Sequence, residues 1–218
     1  MSKENAYESV PSHLRSFVVE QDYQRYTSRD HSVWRFIMRN ACHFFSKHAH
    51  PLYLDGLTKT GLSVEKIPRI EYMQECLSNF GWSAVCVRGF IPPLAFLEFQ
   101  ANKVLPIAAD MRRFEHLLYT PAPDIVHEAA GHAPILADKD YRDYLCAYAE
   151  VASKAIFSKE DIRVYEAIRK LSDLKENPDA SLQEIEQAQN ELDLATREST
   201  WLSEASQLSR MYWWSVEY

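Results

Sequence analysis

Glycine is scarce in this chain of 218 residues, with five in all. Tight turns lean on glycine, so an all-β fold with many hairpins fits poorly and helix is favoured. Long apolar runs are also missing. No stretch approaches the roughly 18 uninterrupted apolar residues of a membrane span. The opening MSKENAYESV lacks the basic start and apolar run of a secretory signal. The four cysteines, Cys42, Cys76, Cys86 and Cys146, include no CxxC pair, so free thiols in a reducing cytoplasm are expected. Lysine and arginine form no run along the sequence and the formal charge is −7, which argues against a nucleic-acid partner. What is present is ordinary: at 46% hydrophobic and 25% charged, the chain reads as a soluble globular protein of one or two domains with a real core.

Residues 1–29 read as a polar lead-in. In DHSVWRFIMRNACHFFSKHA a helix is expected from Asp30 or His31, with an apolar face of Val33, Phe36, Ile37, Phe44 and Phe45 and with Trp34 and Met38 beside it. A second helix is expected in IPRIEYMQECLSNFGW, closing near Gly81. WSAVCV is the best strand, broken by Pro92-Pro93, and LAFLEFQ begins a new element. Residues 124–132 read as a short helix, with Pro123 and Asp124 at its start and Pro134 stopping it. Residues 159–200 are rich in Glu, Lys, Gln and Ala and read as a charged helical hairpin. Its break falls at Asn177-Pro178, and Ser181 and Glu184 make a capping box. A solvated helix pair packed on the domain is the simplest account of it.

The stretch PAPDIVHEAAGHAPIL carries His127 and His132. An α-helix advances about 100° per residue, so positions five apart lie roughly 140° apart around it. The pair therefore does not converge in an α-helix. Small neighbours (Ala129, Ala130, Gly131) and the Pro134 break leave room for His132 to swing, and two histidines would suit zinc or iron alike. A third ligand must come from elsewhere. The C-terminal YWWSVEY sets one carboxylate, Glu217, among aromatic residues whether the segment is extended or helical, and a carboxylate in such a wall needs a partner.

Taken together, TPAPDIVHEAAGHAPIL and MYWWSVEY resemble the pterin-dependent aromatic amino acid hydroxylases, most nearly the bacterial, phenylalanine-hydroxylase-like branch. YTSRDHSVWR, IPRIEYMQECLSNFGW, RGFIPPLAF and MRRFEHLLYTPAPD extend the likeness over nearly the whole chain outside the hairpin. The resemblance implies a mainly α fold, a partial catalytic domain spanning 1–218 with short strands and an inserted hairpin at about 159–200, and no regulatory domain. It implies Fe(II), a tetrahydropterin and O₂, acting on a small aromatic amino acid in the cytoplasm, most simply turning phenylalanine into tyrosine, with tyrosine or tryptophan as the alternative substrate.

By the same resemblance His127, His132 and Glu217 are the metal ligands, a two-histidine, one-carboxylate set that leaves positions open on iron. Arg112 holds the amino acid's carboxylate, with Tyr119, Thr120 and Trp213 near its charged end. Pro123 and Tyr218 pack beside its ring. Phe90 stacks on the pterin, Glu128 and Tyr212 line the pterin pocket, and Val85 lies in the loop beside it. The chain departs from the animal pattern at Tyr218, where phenylalanine is usual, and at Ser83 and Gly89 in the pterin loop. The 85 residues from His132 to Glu217 are about twice the animal spacing, and the hairpin accounts for the excess. Because the family's domain continues past the third ligand, a truncated chain that hydroxylates poorly by itself is expected. Two rivals stand beside this reading. A zinc hydrolase with Glu128 as base would need histidines four apart. A helical interaction module would act through 159–200.

Overall fold

The computed structural model describes residues 7, 10–120, 122–177, 179–200 and 202–217, and only the backbone of Glu176, Trp213 and Glu217. The chain divides into two compact units, residues 1–150 and 151–218. Both are mainly helical.

The first unit is built on helices α1 (Ser28–His48), α2 (Pro51–Lys59) and α3 (Ile70–Ser78). A short β-α-β segment follows: β1 (Ser83–Val87), α4 (Pro93–Ala101) and β2 (Val104–Ala108). Thr27 and Asp30 form a reciprocal capping box that starts α1 at Ser28, two residues before the Asp30 start read from sequence. The expected apolar face of α1 is partly wrong. Val33, Trp34 and Met38 are buried, whereas Phe36 and Phe44 are exposed. Trp34 is fixed by its indole N–H, which donates to the Ser63 carbonyl at 2.8 Å. After α3 the chain turns at Gly81, whose φ of 73° lies in the left-handed region that glycine enters without strain.

β1 and β2 pair in parallel, Ser83 against Val104 through Val87 against Ala108. Every residue of β2 is buried, as a covered parallel strand requires. Its register explains why it escaped the sequence reading. Ser83 N–H donates to the Lys103 carbonyl and Ala109 N–H to that of Val87, so odd-numbered residues of this segment face β1. Pro106 is even-numbered, and its missing N–H falls on the outer edge, the one place a strand proline is harmless.

Residues 1–29 are not merely a polar lead-in. Val10 and Leu14 are buried in one apolar cluster with Val85, Val87, Ala95, Phe99 and Val104, and Val18 bridges to Val87 at the edge of the sheet. The apolar residues here are too sparse to show a period, and short 3₁₀ turns (Ser12–Phe17, which carries Leu14, and Tyr23–Arg25) take the place of a longer helix. Helix α5 (Lys139–Ala152) closes this part of the chain.

The second unit is a helical hairpin, α6 (Lys159–Glu176) against α7 (Leu182–Glu198), followed by α8 (Glu204–Tyr212) and a π-helix, Trp213–Glu217. Both hairpin helices begin on capping boxes, Ser158 with Asp161 and Ser181 with Glu184. Their facing sides carry ion pairs, Arg163 with Glu198 and Lys170 with Glu191. Asp161 does more than cap. Its two carboxylate oxygens accept from the Ser203 and Ser206 hydroxyls, each at 2.6 Å, so the start of α6 holds the start of α8. No helix among the described residues is long and apolar enough to cross a membrane.

Candidate metal centre

The segment that carries the histidines is a π-helix, Val126–His132. Hydrogen bonds from i to i+5 replace those from i to i+4, so residue i+5 comes back over residue i. That removes the objection raised by α-helical geometry. His127 Nε2 and His132 Nε2 lie 3.2 Å apart, with ring centroids 4.9 Å apart. Two nitrogens each ~2.1 Å from a shared ion and about a right angle apart around it would be separated by ~3 Å. The pair as folded therefore suits two adjacent positions on one metal. Glu128 joins them, and the donor atoms of His127, Glu128 and His132 all lie within 4.8 Å of one another.

His132 is buried, and burial, with the neighbouring His127 ring adding to it, pushes its pKa down to about 3. The imidazole is thus neutral at physiological pH, the form that offers a lone pair to a metal. A half-buried His127 beside it gives the site one wall toward the interior and one toward an opening.

Three contacts hold the turn. At its start, Asp124 Oδ1 accepts from the His127 N–H at 2.9 Å. In its middle, the Tyr53 hydroxyl of α2 donates to the Ala130 carbonyl at 2.7 Å. Beyond its end, α2 packs on the 3₁₀ turn Pro134–Ala137 so closely that a Cβ on Gly56 would lie 2.1 Å from the Pro134 carbonyl oxygen. Gly56 is therefore a packing requirement, and a glycine within a helix also disguised α2 in the sequence.

Arg112 follows β2 and is engaged from within. Its Nε and Nη2 donate to Asp124 Oδ2 and Oδ1 at 2.7 and 2.9 Å, and its backbone N–H donates to the same carboxylate. The arginine side chain is 10% exposed and that of Asp124 2%. One buried carboxylate thus fixes both the arginine and the start of the histidine turn, a pairing that sequence reasoning did not find. It also missed Phe96 in the first turn of α4, whose ring meets His132 edge-on at 6.1 Å.

The remaining expected site residues are spread more widely. Val85 is buried in β1, and Phe90 is half-buried in the connection to α4. Thr120 turns its hydroxyl to the Ala122 carbonyl at 2.5 Å, Pro123 is half-buried, and Tyr119 is 74% exposed. Tyr212 ends α8 in the second unit, and the backbone of Trp213 and Glu217 forms the π-helix after it. Residues 212–217 are therefore helical, the alternative to an extended segment. Tyr218, and the side chains of Trp213 and Glu217, lie outside the described residues.

Residues 19–171 match the family described as biopterin-dependent aromatic amino acid hydroxylase. The chain belongs to that family. Among similar proteins is the phenylalanine-4-hydroxylase of Ralstonia nicotianae, 35% identical over 140 residues, which are 64% of this chain and 45% of that one. The chain spans about half the length of the curated relatives it matches. Similar solved structures include the phenylalanine hydroxylase of Chromobacterium violaceum with bound iron(III) and oxidised cofactor 7,8-dihydrobiopterin. The TM-score is 0.62 at 26% identity, covering 73% of this chain and 62% of that one. The same enzyme with iron and phenylalanine bound gives a TM-score of 0.58 at 27% identity, covering 71% and 55%. The mainly helical fold expected from sequence agrees with these structures.

Proposed function

We propose that this chain serves the hydroxylation of an aromatic amino acid by O₂, with Fe(II) and a tetrahydropterin, and that its substrate is phenylalanine, converted to tyrosine. The observation that carries the reading is the pair of Nε2 atoms 3.2 Å apart on a π-helix, one on a ring that burial keeps neutral. His127 and His132 would hold the iron. Glu217 is proposed as the third ligand from its motif. Iron and tetrahydropterin, when bound, supply the activation of oxygen.

The chain's own residues bind, orient and exclude water. Asp124 takes Nε–H and one N–H of Nη2 from Arg112, which leaves the outer edge of the guanidinium, Nη1 and the second Nη2 proton, for the carboxylate of the amino acid. Tyr119, Thr120, Pro123, Trp213 and Tyr218 are proposed around that amino acid. Val85, Phe90, Glu128 and Tyr212 are proposed around the pterin. Ile125 and Ala129, fully buried beside the histidines, keep that side dry. A cytoplasmic enzyme with small-molecule partners is the matching setting. Relatives that bear phenylalanine-hydroxylase names, and a neighbour with phenylalanine bound, favour phenylalanine over tyrosine and tryptophan.

The test is incubation of the whole protein with Fe(II), tetrahydropterin and each of the three aromatic amino acids, followed by product analysis and metal assay. Tyrosine from phenylalanine, with iron retained and oxygen consumption dependent on pterin, is expected. Bound zinc with peptidase activity would overturn the reading.

A further inference from the structure

A second concave site lies in the first unit, lined by none of the residues placed at the candidate metal centre. The N-terminal turns of α1 and the connection at residues 65–69 enclose an open cleft of about 500 Å³. Its walls carry Arg35, Lys66, Arg69 and His31, with Tyr23 and Glu65. Three fixed cations around one cleft are unexpected in a chain whose formal charge is −7. We propose that this cleft binds the phosphate group of a small soluble molecule.

The electrostatics follow from who is paired with whom. Glu65 is the cleft's one acid, and both its oxygens accept from Arg39 Nη2, at 2.9 and 3.1 Å, so its charge is already answered. Arg35 is held by neutral partners, the Glu65 carbonyl at 3.0 Å and the Ser32 hydroxyl at 2.9 Å. Its position is fixed, and among the described residues no carboxylate lies within ion-pair distance of it. Arg69 lies over the Tyr23 ring with its guanidinium carbon 3.9 Å from the centroid, a stack that leaves the N–H edges open. Among the described residues neither Lys66 nor Arg69 has a carboxylate partner within ion-pair distance.

His31 adds a neutral donor. Its Nδ1 accepts from the Ile67 backbone N–H at 3.3 Å, which places the ring proton on Nε2. Burial first, and then the charge of Arg35, hold His31 below its ordinary pKa; Asp30 opposes them, and Lys66 adds a push smaller than that of Asp30. The ring thus senses the same unanswered positive field. An arginine edge, an ammonium and an imidazole N–H form a donor set that suits a tetrahedral oxyanion. The cleft is roomy enough to take the carbon portion of a phosphate monoester as well, since ligand sites run from ~300 to ~1,000 Å³.

The proposal is tested by calorimetric titration of the chain with inorganic phosphate at constant ionic strength. Saturable binding is expected, weakened about tenfold by Lys66→Gln, at least as much by Arg69→Gln, and lost in the double variant. Both side chains are exposed, so the fold should survive, and circular dichroism checks that it does. A second readout is the His31 ring proton resonance, identified by His31→Gln, which should move as phosphate is added to the parent and stay still in the double variant. Absence of saturable binding, or equal binding by the double variant, overturns the site. A last arm separates a soluble ligand from a lipid headgroup. The chain should not sediment with phosphatidylcholine vesicles containing phosphatidic acid, and sedimentation with them but no binding of inorganic phosphate overturns the soluble ligand.

Discussion

The two π-helices among the described residues, Val126–His132 and Trp213–Glu217, carry the residues that matter most to the proposed chemistry, yet they are held in different ways. The first is built into a packed frame. Asp124 ties its start, Tyr53 its middle and Gly56 the turn beyond it, and most of its residues are buried. The second continues α8, with Trp214 78% exposed. At the other end of that helix Asp161 accepts from the hydroxyls of Ser203 and Ser206. A turn braced at three points keeps two ligand atoms in register.

Predictions that sharpen this contrast run from large effects to small. His132→Ala should weaken Co(II) or Fe(II) binding by more than about 100-fold, since it removes a ligand rather than a support. Metal titration followed by the visible spectrum of Co(II) measures it, and retained affinity would remove the histidine pair from the site. Gly56→Ala should cost about 3 kcal/mol, because helix α2 or the Pro134 turn must shift to admit the methyl group. Denaturant unfolding gives the number, and an unchanged midpoint would mean that the histidine turn is not braced by α2.

Asp161→Asn tests the other support. Burial raises the Asp161 pKa, but hydrogen bonds from Ser203, Ser206 and Ser158 together outweigh it and hold the carboxyl below the ordinary aspartate value. The sign follows from linkage: a depressed folded-state pKa gives stability that is present above the unfolded value and lost as pH falls through the folded one. The parent should lose helix as pH falls below about 4, and the Asn variant should show a shallower acid dependence. At neutral pH its cost should be about 1 kcal/mol, kept small by solvent screening. Helix content followed by circular dichroism across pH reads both. Smallest is Tyr53→Phe, about 1 kcal/mol from a lost hydrogen bond to the Ala130 carbonyl, with metal affinity lowered about tenfold if that bond positions the turn. Lost stability with unchanged metal affinity would limit Tyr53 to packing.

Much of this was readable from the sequence, but not evenly. β1 follows directly from its alternation-free apolar run, and the capping boxes of Ser181 and Glu184 mark a helix start without help from the rest of the fold. The histidine pair was visible as a motif and the resemblance implied its convergence, but helix geometry alone did not show it, because the period was taken as that of an α-helix. Local strings carry the period poorly over seven residues. Helix α2 and strand β2 were hidden by Gly56 and Pro106, residues that oppose each element by propensity and are explained only by a neighbour, the Pro134 carbonyl in one case and the open side of a two-stranded sheet in the other. Arg112 was singled out by the resemblance. That half its fork already belongs to Asp124 is a tertiary fact, twelve residues away and invisible to any spacing rule.

Pro106 has a consequence for the chain before it is finished. While β1 and β2 are newly paired and the helices around them not yet in place, the outer side of β2 is a template onto which another extended chain could add. All five of its residues are apolar or proline, the composition that such addition favours. The missing N–H at the centre of that edge interrupts the ladder an incoming strand would need. A residue that looks like a defect in a finished strand thus acts as a gatekeeper against aggregation during folding.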